Sequence, residues 1–252
     1  MPRPIQVPPV NPSNCRNSAP TYDHRNLRNN GLLIVISKSG IYALVTASFV
    51  ALTVPAMAHP HVFADGRVIL DLDAPHQLTA VRNEWTFDKP FSSFAVIGLD
   101  KNHDGKLEPS ELRSLAETSM KSLADYHFFT WVTRNGVEVE LSTPRDYVYR
   151  FSHGRLTLSF SMPLKTPAPI DDDVKIEVFD PEYFVAYTFP EQGAIKLAGP
   201  GSGCRATYIP PKPLDDQIMA TLAAIPAEEH DLPSALRDAA VGLANIFTVK
   251  CP

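Results

Sequence analysis

Between residues 61 and 189 apolar and polar positions alternate in short, evenly spaced runs, as in strands that bury one face. The runs are 61–71, 78–87, 128–133, 137–141, 147–151, 156–162, 174–179 and 183–189. Turn residues separate them. Asn135-Gly136 is the strongest short hairpin signal, and the Ser-His-Gly stretch at 152–154 predicts a second tight turn. Asp180-Pro181-Glu182-Tyr183 predicts a strand-to-strand turn in which Pro181 fixes φ and Asp180 caps. The expected fold is α+β and mainly antiparallel β, a sandwich or partial barrel.

The alternation breaks twice. After Pro90 the pattern predicts a short helix, and from Pro109 to Asp125 the positions Leu112, Leu115, Met120 and Leu123 share one helical face. After residue 209 a proline cluster marks a second break, followed by helices over 214–224 and 234–244, the latter capped by Ser234. Phe247 to Cys251 reads as a returning strand. The expected organisation is a β-rich domain at 59–209 with a helix-loop-helix insertion at about 90–125, then a helical tail at 210–252.

The segment between the first two helices carries the clearest chemistry. Asp100, Asn102 and Asp104 stand at positions one, three and five of a twelve-residue EF-hand calcium loop. Gly105 takes the sharp turn at position six. Lys106 at position seven supplies its backbone carbonyl, Glu108 stands at position nine, and Glu111 is the bidentate ligand at position twelve. A hard cation wanting six to eight oxygens is served by this set; a soft metal is not. A lone loop points to structural binding, in the ~10⁻⁴–10⁻³ M range of extracellular modules.

Residues 1–58 read as a targeting segment. An uncharged apolar run at 41–54 follows Arg28 and Lys38, and Ala56-Met57-Ala58 offers a small-x-small cleavage signal. The run is shorter than the ~20 residues that cross a bilayer, so no membrane span is expected after cleavage. Residues 1–31 are long for a signal's leading region, which points to a start further along. The chain is expected to be exported through a cleavable signal. The chain's net charge of −5 becomes more negative once that basic leader is gone, which argues against nucleic acid as a partner.

Of three cysteines, Cys15 precedes the cleavage point, leaving Cys204 and Cys251 as an even pair in an exported chain. A disulfide tying the tail to the body is expected; two thiols or a soft-metal pair are the alternatives. Cleavage after Ala58 also exposes His59-Pro60-His61 as a new terminus. His59 can chelate a copper, nickel or zinc ion through amine and ring, with His61 on the same side of an extended segment. Pro60 has no N–H to lose, so the square-planar copper/nickel mode is blocked and outside ligands such as His127 or His153 are needed. His76, His103, His153 and His230 read as solvated. No Gly-x-Ser-x-Gly elbow or His-Glu-x-x-His motif is present, and no catalytic residue is assigned.

Taken together, His-Pro-His-Val-Phe at 59–63, Glu-Trp-Thr-Phe-Asp at 84–88, the loop at 100–111 and Asp-Tyr-His-Phe-Phe at 125–129 resemble a bacterial exported family catalogued as domain of unknown function 1007. The resemblance continues through 178–187, Gly203-Cys204 and 248–251. It implies a periplasmic component of an ABC-type transport system, partnered by a membrane permease for metal ions such as nickel, cobalt or zinc. Family members often carry glycine where His103 stands. The expected function is thus a non-enzymatic, calcium-binding accessory protein of transition-metal transport. The alternative is a solute-binding protein of an ABC-type transporter, which needs two α/β lobes rather than hairpins.

Overall fold

The computed structural model describes residues 60–73, 76–170, 173–200, 203–225 and 232–252. The targeting segment, Cys15, His59 and His230 lie outside the described residues. The strands are β1 (Val62–Asp73), β2 (Gln77–Phe87), β3 (Thr130–Arg134), β4 (Val137–Glu138), β5 (Arg145–Ser152), β6 (Arg155–Pro169), β7 (Val174–Val178), β8 (Val185–Thr188), β9 (Ile195–Ala198), β10 (Arg205–Ile209) and β11 (Asn245–Lys250). Among the described residues four α-helices join them: α1 (Lys89–Ala95), α2 (Arg113–Leu123), α3 (Asp216–Ala223) and α4 (Ser234–Val241).

Two sheets form rather than a closed barrel. One runs β5-β6-β2-β1-β8, with β9 also on β1; the other runs β10-β11-β7-β3-β4. Most pairings are antiparallel, but β1 pairs in parallel with both β8 and β9. The mainly antiparallel expectation holds, with this parallel exception: β8 and β9 divide the length of β1 between them, at Val62–Asp65 and Val68–Asp71. Both strands come long after β1 in the chain and across other elements, so neither is joined to it by a hairpin.

A single apolar cluster draws on both sheets, because the alternating faces of β1, β2 and β6 meet those of β3, β7 and β11. Trp85 is fully buried at its centre, its ring 4.9 Å from both Phe160 and Tyr187. Phe189 bridges the sheets, with ring centroids 4.9 Å from Phe247 and 5.8 Å from Tyr208. Gly66 follows from this packing: a Cβ there would overlap the Phe189 ring. Buried polar groups cross the same space. Asn83 Nδ2 donates to Thr130 Oγ1 at 3.0 Å, joining β2 to β3. This buried hydrogen bond fixes register, although Asn83 Oδ1 is itself buried without a partner.

Several elements depart from their expected bounds. The Asn135-Gly136 and His153-Gly154 turns form as expected, all four residues at positive φ. The strand expected from 128 starts at Thr130, because 124–129 forms a short 3-10 helix in which His127, Phe128 and Phe129 have φ near 50°. The strand expected over 137–141 is two residues long, followed by a bridge from Leu141 to Leu164. Helix α2 begins at Arg113 rather than Pro109, since Glu108 O spends its bonds on an isolated turn, accepting from Glu111 N and Leu112 N. Ser234 does not cap α4; it is the first helical residue, and Pro233 holds the cap position.

The segment after 210 is not simply a helical tail. Leu222, Ile225, Leu232 and Ala240 build a small second cluster around α3 and α4. The chain then enters the second sheet as β11, between β10 and β7. Phe247 and Val249 on that strand are fully buried. Asp215 caps α3, accepting from Gln217 N and Ile218 N at 3.0 and 2.9 Å.

Candidate metal centre

The segment from β2 to β3 carries the loop at 100–111, and both flanks are pinned. Asp88 caps α1, accepting from Phe91 N at 2.8 Å, while its other oxygen accepts from Phe63 N at 2.7 Å on β1. Ser92 is buried, and its Oγ accepts from Leu156 N on β6 at 2.9 Å. On the far side Leu112, Ala116 and Met120 bury one face of α2 in the main core. Ser119 Oγ lies 3.2 Å from Tyr149 OH. Leu107, at position eight, packs against the same core. The loop is therefore held at three points while its polar tip stays in water.

Within the loop the side chains of Asp100, Asn102, Asp104 and Glu111 turn oxygens onto backbone N–H groups. Asp100 Oδ2 accepts from Gly105 N at 3.0 Å, Asn102 Oδ1 from Asp104 N at 3.0 Å, and Asp104 Oδ1 from Lys106 N at 2.8 Å. Glu111 Oε1 accepts from Lys101 N at 2.9 Å and its Oε2 from Glu108 N at 3.2 Å. These bonds curl the loop, leaving Asp104 exposed and Asp100 and Glu111 half-buried. A carboxylate so engaged still has lone pairs for an ion.

Two observations fit a cation. Asp100 Oδ1 is buried with no hydrogen-bond partner, a state that costs free energy until something positive or protonated faces it. The carboxyls of Glu108 and Glu111 also meet with no counter-charge between them. Contact with Glu111 pushes the Glu108 carboxyl up, whereas the Lys101 N–H bond holds Glu111 down. All donors are oxygens, as Ca²⁺ requires. The acidic side chains stop short of a closed cage: among the described residues, the one group of three His, Cys, Asp or Glu side chains whose ligand atoms lie within 4.8 Å of one another is elsewhere, at His76, Cys204 and Cys251.

His103, at position four, has φ 60° and Gly105 has φ 78°. The left-handed region suits glycine and strains most other residues, which accounts for a glycine being acceptable at 103. The histidine ring offsets part of that strain by placing Nδ1 3.0 Å from Lys101 O.

The other expected sites fare differently. Cys204 and Cys251 form a disulfide, with Cα atoms 4.1 Å apart. His59 lies outside the described residues. His61 is partly buried, its ring 4.9 Å from Phe184 and its N–H bonded to Phe184 O at 2.9 Å. His127 is exposed and stacks on Trp131 at 5.8 Å, and His153 is exposed at the tip of the β5–β6 turn. Neither joins His61 in a three-ligand group among the described residues. His76, expected to be solvated, is half-buried beside the disulfide.

Asp180 is the least expected acidic residue: it is 4% exposed. Its Oδ1 accepts from Glu182 N and its Oδ2 from Val185 N, both at 2.9 Å, while its carbonyl accepts from Tyr183 N at 3.0 Å. Burial pushes the carboxyl up to about 6 against those bonds. It organises the turn before β8.

The two-sheet fold with a helix–loop–helix excursion defines a β-rich protein with an acidic loop held on its core. The family model described as "Protein of unknown function (DUF1007)" matches residues 44–251, and the chain belongs to that family. An uncharacterised protein of Haemophilus influenzae is similar at 23% identity over 213 residues, covering 83% of this chain and 98% of the relative. An uncharacterised 15.5 kDa protein from the trpE 3' region of Spirochaeta aurantia is 26% identical over 118 residues, covering 46% of this chain and 84% of its own length.

Proposed function

We propose that residues 100–111 hold one calcium ion as an EF-hand loop, and that the protein is an exported accessory component of a transition-metal transport system. The calcium part rests above all on Asp100 Oδ1, a buried acceptor without a partner inside an all-oxygen donor set. Asp100, Asn102, Asp104, Glu108 and Glu111 contribute side-chain oxygens and Lys106 its carbonyl. Ion binding draws in the acidic groups that the free loop spends on its own N–H groups. With α1 fastened through Asp88 and Ser92, and α2 through its buried face, the ion stiffens the link between β2 and β3. It does not switch the fold.

The export part is supported by the apolar run, the Ala-Met-Ala motif and the Cys204–Cys251 bridge, which suits an oxidising compartment. Transition-metal handling, with a permease as partner, rests on the family resemblance and on His59 and His61. It is tested by titrating protein with the His59 terminus against Ni²⁺, Co²⁺, Cu²⁺ and Zn²⁺, with calcium saturating. Binding lost on His59→Ala supports it; heat signals absent for all four ions remove it. No residue is assigned a catalytic role.

A further inference from the structure

His76 directly precedes β2 of the first sheet, yet it lies at the end of the second. There β10 and β11 pair with Arg205 opposite Lys250, which sets Cys204 directly across from Cys251. One ring nitrogen of His76 and the two sulfurs all lie within 4.8 Å of one another, and all three residues are half-buried. His76 is held there by its backbone: it sits at φ 56°, and its carbonyl accepts from Ile170 N at 2.9 Å. The ring thus faces the sulfurs because of two separate chain segments, not through local sequence.

We infer that when the Cys204–Cys251 bridge is open, these two sulfurs and His76 hold a thiophilic divalent cation of the Zn²⁺ class. The metric requirement is modest. Zinc bonds of about 2.3 Å to sulfur and 2.0–2.1 Å to nitrogen at tetrahedral angles place the sulfurs about 3.8 Å apart and each about 3.6 Å from the nitrogen. With the Cα atoms 4.1 Å apart, rotation of the two side chains reaches that spacing while the strands stay paired. Charge also fits. Two thiolates and a neutral imidazole make a neutral complex with a divalent ion, which suits half-buried surroundings, whereas a monovalent ion leaves a net negative charge. The fourth position remains for water or an incoming ligand. This donor set is soft where the loop at 100–111 is hard, so the two sites select different ions.

The chemistry balances. A phosphine reductant breaks the sulfur–sulfur bond and takes up the oxygen of one water as phosphine oxide, and the two protons of that water leave two thiols. Binding of M²⁺ then releases both thiol protons and leaves His76 neutral. In the oxidised protein the sulfurs have no thiolate charge, and the site is closed to metal.

The test uses the chain from His59 to Pro252, reduced with a phosphine, desalted without oxygen and kept in saturating Ca²⁺. Titration with Co²⁺ is expected to give a thiolate-to-cobalt charge-transfer band and tetrahedral visible bands at one equivalent, both displaced by Zn²⁺. The oxidised protein gives neither. His76→Asn keeps a residue that tolerates the left-handed turn and is expected to weaken Zn²⁺ at least tenfold and alter the visible bands. Cys251→Ser abolishes the charge-transfer band. Near-ultraviolet circular dichroism follows the fold throughout. If reduction loosens the protein, Zn²⁺ is expected to restore the signal. Absence of the band, an unchanged His76→Asn variant, or a reduced protein that Zn²⁺ fails to refold each overturns the inference. None of these readouts depends on whether the loop binds calcium.

Discussion

The backbone N–H of Lys101 donates to Glu111 Oε1 at 2.9 Å, tying the second residue of the loop to the last. Glu111 also accepts from Glu108 N, so a single side chain closes the loop onto itself. Glu111→Gln keeps the size and one acceptor but loses the charge. It is expected to weaken calcium binding by at least about tenfold while leaving the far-ultraviolet spectrum of the calcium-free protein unchanged. An unchanged affinity would place the ion elsewhere.

His103 stands at φ 60° in an exposed loop position. A non-glycine residue there carries about 1–2 kcal/mol of strain, against about 0.5–1 kcal/mol for the extra freedom glycine loses on folding. His103→Gly is therefore expected to keep calcium binding and to leave stability unchanged or raise it by up to about 1 kcal/mol. Calorimetric titration of both proteins decides it; a tenfold loss would mean the His103–Lys101 contact matters more than the backbone.

Asp180 makes stability depend on pH. Its folded value of about 6 lies above that of a free carboxyl, near 3.9, so the folded state holds the proton more tightly. The stabilisation is complete below about pH 4 and is lost as pH rises through 6, roughly 3 kcal/mol in all. Urea unfolding at intervals from pH 4 to 7 reads the slope. In Asp180→Asn that share of the slope disappears, and the variant is weaker by about 1–3 kcal/mol because one turn N–H loses its acceptor. Identical slopes in both proteins would contradict the assignment.

Gly66 lies under Phe189, which in turn packs on Phe247 of the second sheet. Gly66→Ala pushes that ring out of its place and is expected to cost about 1–3 kcal/mol. The check is a thermal melt, with Phe189→Leu in the same background relieving part of the loss. A neutral Gly66→Ala would show that the ring has room to move.

The bridge between Cys204 and Cys251 closes a sequence separation of 47 residues that contains α3 and α4. Chain-entropy reasoning puts its contribution at about 4 kcal/mol. Cys204→Ser with Cys251→Ser is expected to lower the urea midpoint accordingly. A loss below about 1 kcal/mol would mean that β11 is held by its sheet neighbours alone.

Long strands with clean alternation are legible in the sequence: β1, β2 and β6 bury every second residue over much of their length, and alternation reports burial on one face. Strands β9 and β10 escape that reading because they are four and five residues long with only exposed or half-exposed positions. The parallel pairing of β8 and β9 with β1 has no local signature at all. His127, Phe128 and Phe129 read as the start of a strand because their side chains suit one, while the backbone there is left-handed. The acidic loop at 100–111 stands out in the sequence because the proposed ion's geometry would dictate its spacing. His76 beside the disulfide does not, since only the meeting of two sheets brings them together.

The most direct measurement is a calorimetric titration of the oxidised chain, residues 59–252, with Ca²⁺ at physiological ionic strength. The account predicts one site with a Kd in the ~10⁻⁴–10⁻³ M range, abolished by Asp100→Ala. It also predicts stabilisation of about 1.4 kcal/mol when free Ca²⁺ is ten times Kd. Absence of a calcium-dependent heat or melting shift, or a site that survives Asp100→Ala, would contradict it.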